Sequence, residues 1–337
     1  MTNTDHELNI ENITKAIKYP KRAVDDVLLY YTLRYFLTRL NTKYNIGTNV
    51  FDKQWDLLII LDTCRIDALN LVSSEYEFIN EIDSITSLGS ATPEWVASTF
   101  VSDYTDEISN TTYITANAMA KSILEDSVQN SENAHLLLRS LRRHHTVDDA
   151  ALNELIYVFD HEGIGQRGPL GHEEGMTPPE YVTNNTIDHM RNNSTDRVIA
   201  HYFQPHFPWS VKGLTENRPL KKFEKNPWDY LKNKGDKTKV WKSYINELKY
   251  VLNSIETLLN NVDADRVVIT ADHGEAFGEF GILGHKIGSI HPQIRKVPWV
   301  ETSATNNQTY TPDLLGSGTD RNTFDANQQL KALGYKL

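Results

Sequence analysis

Five short apolar runs, each ended abruptly by polar residues, constrain most strongly what this chain can fold into. In the first, residues 57–61, every side chain is apolar, as is typical of a strand buried on both faces of a sheet. The other four lie at residues 111–117, 155–161, 197–203 and 266–275, although the start of 155–161 could also continue a helix. The pattern predicts a sheet of several buried strands.

The clearest helical segment is 239–262, where apolar residues recur at three- and four-residue steps. Asn260 and Asn261 follow its last apolar residues and could cap it. Because strands alternate with helices along the chain, the sequence predicts an α/β fold with three layers, α/β/α, around a mostly parallel central sheet.

The composition excludes several classes of protein. The chain has 337 residues, 39% of them hydrophobic, which fits a folded globular protein rather than a disordered one. Its single cysteine, Cys64, cannot form an internal disulfide, so nothing argues for an oxidising compartment. The net charge of −11 repels nucleic acid and anionic lipid, so we expect neither as a partner unless a local basic patch exists.

The N-terminal residues bear on where the protein resides. Residues 1–20 lack the apolar core of a secretory signal, so we expect a cytoplasmic protein. Residues 24–40 form the most apolar early stretch, but charges such as Arg34 interrupt it too often for a spanning helix. It is expected to pack as a surface helix on the main domain. The alternative is a helix that lies on a membrane surface and makes the protein peripheral to the membrane.

Charged and imidazole side chains follow three of the predicted strands. They are Asp62, His206 and the pair Asp272–His273, which Gly274 follows. Ligands of open α/β sheets bind beyond the carboxyl ends of the strands, where these side chains are expected to meet. Taken alone, Asp62 could cap a helix and Asp272–His273 could form a capped structural turn. Together they predict a site for Zn²⁺, Mn²⁺, Mg²⁺ or Ca²⁺, because neighbouring carboxylates repel unless a cation neutralises them.

Several segments, in this order, resemble the sulfatase-like branch of the alkaline phosphatase superfamily, which includes sulfatases, phosphonate monoester hydrolases and phosphoethanolamine transferases. The segments are WDLLIILDTCRIDAL, SLGSATPEWVASTF, HYFQPHFPW, VVITADHGEAFGEFGILGHKIG and RKVPWV. The resemblance runs from Trp55 to Val300 and implies an alkaline-phosphatase-like fold. It divides the chain into an N-terminal helical segment (1–50), a sulfatase-like α/β catalytic domain (51–300) and a polar tail with a short terminal helix (301–337).

The resemblance also implies the roles of individual residues. Asp62, Asp272 and His273 would bind the metal, and a nucleophilic hydroxyl would be a further ligand. Thr92 is our first choice for that hydroxyl, because Thr92–Pro93 opens a helix whose N-terminus favours an alkoxide and a bound anion. Ser90 is the second choice, and the alternative for Thr92 is that it merely caps the helix.

Residues on the substrate side follow from the same resemblance. His206 and His285 would contact the anionic ester or protonate its leaving oxygen, and Lys286 could add a positive charge. Other candidates are weaker. Arg65 is expected to pair with Asp67, with contact to a phosphate as the alternative; the remaining weak candidates are His161, His172, His201 and His291, which we expect to be surface or packing residues.

One departure from the family pattern favours phosphate esters over sulfate esters. Many sulfatases convert the cysteine of a C-x-P-S-R motif into formylglycine, but Cys64 has no Pro or Arg at the required offsets and is expected to be a buried hydrophobe. We therefore expect a metal-dependent hydrolase or transferase of phosphate esters that forms a covalent threonine intermediate. The alternatives are a sulfate-ester hydrolase without formylglycine and an inactive metal-bearing binding protein in surface-polymer assembly.

The substrate itself is defined only by its class. We expect an anionic ester, for example a glycan phosphate or a lipid-linked phosphate. Its specificity is expected to come from two stretches, 163–186 and 212–237, that are rich in proline, glycine and polar residues, because long loops in compact domains often serve as lids.

Overall fold

The structure, a computed structural model, describes residues 46–125, 146–158, 176–194 and 196–314, together with Phe36 and Leu141. Within this part the chain forms a single sheet of seven strands. The strands are β1 (Leu57–Leu61), β2 (Asp83–Thr86), β3 (Thr111–Thr115), β4 (Glu154–Tyr157), β5 (Arg197–Tyr202), β6 (Ala264–Thr270) and β7 (Lys296–Ala304).

The strand order is β2-β7-β6-β1-β5-β3-β4. The pairs β6–β1, β1–β5, β5–β3 and β3–β4 are parallel, whereas β7 runs antiparallel to both β6 and β2. The five predicted strands therefore form the parallel part of the sheet, which confirms the predicted fold class. The two strands that the pattern missed, β2 and β7, make its antiparallel edge.

Helices cover both faces of this sheet. They are α1 (Ile66–Val72), α2 (Thr92–Thr99), α3 (Thr105–Ser109), α4 (Ala118–Leu124), α5 (Pro179–Asn192), α6 (Val211–Thr215), α7 (Lys222–Lys225), α8 (Pro227–Lys232), α9 (Lys237–Leu259) and α10 (Pro292–Arg295). Short 3₁₀ turns lie at Val50–Asp52, Ser73–Glu75, Ser102–Tyr104, Asp149–Ala151 and Glu279–Gly281. The predicted long helix is α9, whose last residue, Leu259, is followed by Asn260 as its C-cap.

Strand β1 shows how the layers are built. All five of its residues are fully buried, and they alternate between two hydrophobic clusters. Leu57, Ile59 and Leu61 belong to the cluster that includes α1, α5 and α9. Leu58 and Ile60 face the cluster that includes α2 and α4. Because side chains alternate along a strand, a run buried on both faces places the central strand between two helical layers.

The register brings the strand ends to one level. Leu61 of β1 lies opposite Tyr202 of β5, and Ile60 lies opposite Thr270 of β6. The segments that leave these three strands therefore start side by side at the carboxyl edge of the sheet. This edge is the place where the sequence predicts the site.

Some predictions concern residues outside the part of the chain that the structure describes. Residues 24–40 (Phe36 apart) and the predicted terminal helix lie outside them, as do His161 and His172. Strand β7 continues to Ala304, so the boundary drawn at residue 300 lies within a strand; the division into three parts stays a prediction. Among the described helices, none combines the length and apolar character that a membrane-spanning segment requires.

Candidate active site

Two buried carboxylates and one hydroxyl form the centre of the site. Asp62 directly follows β1, and Asp272 follows the neighbouring β6 by two residues. Both are almost completely buried. The Thr92 hydroxyl lies between them, with Oγ1 2.7 Å from Asp272 Oδ2 and 3.5 Å from Asp62 Oδ2. The structure therefore brings together three residues that are distant in sequence.

Thr92 owes its position to the start of α2. It is the first residue of that helix, and Ala91, in extended conformation, is the N-cap residue. The reading of Thr92 as the helix cap is therefore not what the structure shows. Its hydroxyl is directed to the carboxylates instead. The N-terminal end of a helix carries partial positive charge, which stabilises negative charge on an oxygen placed there.

Two imidazoles complete this centre. His273 Nε2 lies 3.5 Å from both Asp62 Oδ1 and Asp272 Oδ2, while its Nδ1 lies 2.9 Å from the Gly274 carbonyl oxygen. His201, on β5, points to the same place, with Nε2 3.8 Å from Asp272 Oδ2 and Nδ1 2.7 Å from the Tyr113 hydroxyl. In both rings the Nδ1 atom has a partner and the Nε2 atom faces a carboxylate.

Gly274 fixes the turn that holds His273. A Cβ atom at this position would lie 2.1 Å from the Gln293 carbonyl oxygen, so no larger residue fits. The Gly274 N–H donates to the Ile294 carbonyl oxygen at 2.7 Å, which ties this turn to α10. The imidazole contacts the Gly274 carbonyl oxygen, and the Gly274 N–H is bonded to α10, so His273 lies on a turn that is fixed to a helix.

The donor atoms of this centre fit a divalent cation. Asp62 Oδ1, His201 Nε2 and His273 Nε2 are buried and have no hydrogen-bond partner among the described residues, although buried polar atoms are normally paired. Asp62, His201 and Asp272 present ligand atoms that all lie within 4.8 Å of one another. Carboxylate and imidazole donors at such spacing suit Zn²⁺ or Mn²⁺.

Electrostatics support the same interpretation. Burial, and then the nearby Asp272 and Glu275 carboxylates, raise the pKa of Asp62 well above its ordinary value. Burial lowers the pKa of His201 and that of His273 to about 4. Both imidazoles are therefore neutral at pH 7 and keep a lone pair for a metal, and the paired carboxylates need a cation or a proton nearby.

Asn117 is a site residue that the sequence analysis did not assign. Its Nδ2 donates to Asp62 Oδ2 at 2.8 Å and reaches Thr92 Oγ1 at 3.3 Å. Its Oδ1 accepts from the Met119 N–H at 2.9 Å and so caps α4. The amide is thus oriented by a helix and holds one carboxylate oxygen toward the threonine. The sequence could have indicated Asn117 as a site residue, because it ends the predicted strand 111–117 at the same edge of the sheet.

His201 was also undervalued. The sequence analysis expected a surface or packing role for it, whereas its ring lies fully buried beside Asp272. The available signal was its place in β5, where it directly follows the buried apolar residues 198–200. An imidazole inside such a strand needs partners for its ring nitrogens. Here the Tyr113 hydroxyl pairs with Nδ1, whereas Nε2 faces Asp272 at 3.8 Å without a hydrogen bond among the described residues.

The predicted substrate-side histidines lie next to this centre. The His285 and His273 rings are 4.2 Å apart between centroids, and the His206 and His285 rings are 5.3 Å apart. His285 Nδ1 lies 3.0 Å from Glu275 Oε2. His206 Nδ1 contacts the carbonyl oxygen of Phe207, and burial lowers the pKa of His206 well below its ordinary value. Histidines from two distant segments therefore border the group of carboxylates and imidazoles that could hold a metal.

Ser90 has different surroundings from Thr92. Ser90 Oγ lies 2.5 Å from Glu94 Oε2 and 2.9 Å from the Lys286 carbonyl oxygen, and it accepts from the Ser289 N–H at 2.9 Å. Glu94 Oε2 also accepts from the Ser90 N–H and the Gly288 N–H. This network joins α2 to the loop that carries His285 and the half-buried Lys286. Its contacts give Ser90 a structural position in that network.

The weaker candidates have structural partners. Arg65 pairs with Asp67 at 2.6 Å and with Glu279 at 3.0 Å. His291 is the N-cap of α10 and accepts from the Gln293 N–H at 3.1 Å. Cys64 is buried, and burial raises the pKa of its thiol. These contacts match the structural roles that the sequence analysis expected for them.

Comparisons with known proteins give structural likeness at low identity. No protein-family model matches the chain, and no curated protein matches it. One similar solved structure is the soluble domain of lipooligosaccharide phosphoethanolamine transferase A from Neisseria meningitidis (14% identity, 75% of this chain and 77% of that chain, TM-score 0.47). Another is the periplasmic domain of phosphoethanolamine transferase EptC from Campylobacter jejuni (16%, 75% and 79%, 0.42). A third is a 2-O glycosaminoglycan sulfatase (15%, 83% and 74%, 0.39).

One prediction is contradicted by these comparisons. The sequence analysis expected a cytoplasmic protein, but the EptC domains from Campylobacter jejuni and Escherichia coli are described as periplasmic. The prediction of a cytoplasmic location is therefore wrong. It rested only on the lack of an apolar signal core in residues 1–20. The similar structures are transferases and sulfatases, two enzyme classes of the sulfatase-like branch of the alkaline phosphatase superfamily that the motifs of this chain resemble.

Proposed function

We propose that this chain is a metal-dependent enzyme that cleaves or transfers phosphate esters through a covalent phosphothreonine at Thr92. One observation carries the proposal: the Thr92 hydroxyl lies 2.7 Å from Asp272 Oδ2, next to buried oxygen and nitrogen donor atoms that have no hydrogen-bond partner in the described part of the chain. A hydroxyl held in this way has little structural value, whereas it is well placed to become a nucleophile.

Asp62, Asp272 and His273 would hold the cation together with Thr92 Oγ1, as the sequence resemblance implies, and His201 is a further donor at this place. The cation would supply positive charge that lowers the pKa of the threonine hydroxyl and offsets charge on the ester. Its identity among Zn²⁺, Mn²⁺, Mg²⁺ and Ca²⁺ is part of the test.

The residues of this chain then have separate tasks. Thr92 Oγ1 forms a bond to phosphorus while the bond from phosphorus to the leaving oxygen breaks. The hydroxyl proton leaves along the hydrogen bond to Asp272, and the N-terminus of α2 favours the resulting negative charge. Asn117 keeps Asp62 and Thr92 in register by donating to both. Positioning and charge neutralisation provide most of such catalysis.

His285 is the better candidate for protonating the leaving oxygen. Its Nδ1 faces the Glu275 carboxylate, which leaves Nε2 to carry the proton that the departing oxygen receives. His206 is fully buried and its pKa is lowered, so its neutral ring suits a hydrogen bond to the ester. Lys286 would attract the anionic group as a point charge.

In the second half of the reaction an oxygen from water or from an acceptor hydroxyl bonds to phosphorus, and the bond to Thr92 breaks. His285 accepts the proton of that attacking oxygen, and Thr92 regains its own. The substrate class that fits is an anionic ester such as a glycan phosphate or a lipid-linked phosphate.

Trapping the intermediate tests the proposal. The protein, loaded in turn with Zn²⁺, Mn²⁺, Mg²⁺ or Ca²⁺, is mixed with an aryl phosphate, quenched in acid and digested for mass spectrometry. We expect a phosphoryl group on Thr92 in the wild type and none in Thr92→Ala. A panel of aryl phosphate, bis-aryl phosphate, phosphonate and aryl sulfate identifies the ester class. Turnover of aryl sulfate alone would replace phosphate by sulfate, and turnover of none would favour a binding protein.

A further inference from the structure

A strongly basic surface segment lies in this acidic chain. Residues 211–242, which we call the basic segment, contain nine lysines and one arginine against four acidic residues, a net charge of +6 in a chain whose net charge is −11. All nine lysines, from Lys212 to Lys242, are exposed. The segment comprises α6, α7, α8 and the first turns of α9. The net charge of the chain excludes an anionic partner unless a local basic patch exists, and this segment is such a patch.

The acidic residues of the segment are largely engaged in its internal structure. Glu224 is buried and, with Glu216, pairs with Arg218 at 2.7 and 2.6 Å. Asp236 caps α9 by accepting from the Thr238 N–H at 2.9 Å. The buried acid Glu224 thus neutralises the one arginine, and Lys239 lies 3.8 Å from Asp236, so the surface of the segment carries an excess of lysine charge.

A second feature is a loop that exposes large apolar side chains. In residues 278–290, which we call the apolar loop, Phe280 is 86% exposed, Ile290 is 72% exposed and Ile282 is 37% exposed. Phe280 has a positive φ of 51°, which an aromatic residue rarely adopts. The positive φ of Phe280 and the exposure of its ring to water both cost free energy. Such exposed, strained apolar residues often mark a surface that binds a partner.

The two features adjoin each other and the candidate active site. Trp228 of α8 packs on Phe277 with 5.2 Å between ring centroids, and Trp241 of α9 packs on the same ring at 5.1 Å. The Trp228 indole also faces Gly284, where a Cβ atom would lie 3.3 Å from its nitrogen. His285 follows Gly284 directly. The basic segment therefore packs against the start of the apolar loop, and that loop itself carries one of the substrate-side histidines.

We propose that the basic segment and the apolar loop together dock this protein on the surface of an anionic lipid bilayer. Lysines attract the headgroup phosphates, and Phe280 and Ile290 enter the boundary between headgroups and acyl chains. Two kinds of contact are needed for stable peripheral binding, and this surface has both. A soluble polyanion would use the lysines alone and would leave the apolar side chains in water. The remaining surface, which carries the excess negative charge, is repelled by the bilayer and so orients the molecule.

Vesicle cosedimentation of the full chain tests this proposal without reference to catalysis. Vesicles of phosphatidylcholine alone are compared with vesicles of phosphatidylcholine and phosphatidylglycerol in equal amounts, at low and high salt. The first variant is K222E/K237E, which changes two exposed lysines at the first positions of α7 and α9. Its control is K53E/K249E, which changes the net charge equally outside the basic segment; because Lys249 pairs with Glu75 at 2.6 Å, the Tm of this variant is measured to show that it is folded. The second variant is Phe280→Asn, because asparagine tolerates the positive φ.

We expect the wild type and K53E/K249E to bind the anionic vesicles, and salt to weaken this binding. K222E/K237E should bind at least about tenfold more weakly, since each lysine near an anionic surface contributes about a factor of five. Phe280→Asn should also bind more weakly but keep the dependence on salt. Thr92→Ala should bind like the wild type, which separates this proposal from the proposed chemistry.

Three results would overturn the lipid assignment. The first is a wild type that binds neither kind of vesicle. The second is equal binding by K222E/K237E and its control. The third is a wild type that binds dextran sulfate more tightly than anionic vesicles while Phe280→Asn has no effect, which would assign the lysines to a soluble polyanion.

Discussion

Ser90 and Thr92 lie two residues apart, and the structure predicts opposite consequences for their removal. Ser90 lies in a network that joins two parts of the backbone, whereas the Thr92 hydroxyl faces the two carboxylates of the candidate active site. We therefore predict that Ser90→Ala loses stability and keeps the turnover of an activated aryl phosphate, and that Thr92→Ala keeps its stability and loses that turnover.

The magnitude for Ser90 follows from its contacts. The Ser90 hydroxyl contacts Glu94 Oε2, the Lys286 carbonyl oxygen and the Ser289 N–H, and Ser90 itself is fully buried. Leaving a buried donor or acceptor unpaired costs about 1–3 kcal/mol, and the Ser289 N–H loses its partner outright. We expect Ser90→Ala to lower the free energy of unfolding by about 2–3 kcal/mol. For a chain of this size each kcal/mol lowers Tm by roughly 2–4 °C.

The magnitude for Thr92 differs in both respects. Its hydroxyl donates to Asp272 and accepts weakly from Asn117, so the loss of stability should stay near 1 kcal/mol. Removing a nucleophile, in contrast, lowers kcat by about 10⁴-fold or more. Ser90→Ala should therefore lower mainly the free energy of unfolding, and Thr92→Ala should lower mainly kcat.

The assay measures Tm by calorimetry and turnover of an aryl phosphate per folded molecule, both with saturating metal. Ser90→Thr serves as the control that restores a hydroxyl at position 90. The reasoning is refuted if Ser90→Ala abolishes turnover while Thr92→Ala retains it, because Ser90 would then be the nucleophile. It is also refuted if Thr92→Ala unfolds the protein and Ser90→Ala does not.

Four further predictions concern other parts of the structure. Asp272→Asn removes a buried negative charge from the metal centre and should lower metal occupancy at least about tenfold, measured by elemental analysis after dialysis; equal metal content in variant and wild type would contradict it. His201→Ala should raise the Kd for Zn²⁺ by about 10–100-fold, and an unchanged Kd by titration would remove His201 from the donor set. Glu94→Ala should slow esters with poor leaving groups more than activated aryl esters, because Glu94 holds the loop that carries His285; equal slowing would show a general structural effect. Burial raises the pKa of Glu247 to about 7. Its protonated form therefore stabilises the fold fully below about pH 4.5, and about 3 kcal/mol is lost as the pH rises through 7. Glu247→Gln should remove this slope from the unfolding free energy, and an unchanged slope would exclude the assignment.

The central sheet could be predicted because its strands are buried on both faces. In β1 and β6 an apolar run is followed immediately by charged residues, so both the strand and its carboxyl end can be located from the sequence. Strands β2 and β7 gave no such signal. Strand β2 is four residues long and exposed or half-buried throughout, and β7 contains Pro298, which lowers the expectation of a strand. Strand β2 is the edge strand of the sheet and so lacks a continuous apolar pattern, whereas β7 lies between β2 and β6 and was missed because Pro298 interrupts its apolar run.

Some residues of the candidate active site could likewise be predicted from the sequence, and others could not. Asp62, Asp272 and His273 could be found because they lie at the carboxyl ends of predicted strands, and Thr92 because a helix begins with it. His201 could not be ranked from the sequence, since a histidine within a strand is buried in either of two ways, as a packing residue or as a ligand. Only the register of β5 against β1 shows which acids its ring faces.

That register has a consequence for how the protein is assembled. His201 comes from the interior of β5, where it lies opposite Ile60 of β1 and Thr115 of β3. A slip of β5 by one residue would turn its imidazole to the opposite face of the sheet. A cation that prefers the complete set of donors would thus bind only chains whose central strands have paired correctly. Metal binding would then stabilise only the molecules whose sheet has the correct strand register, which are also those with a complete site.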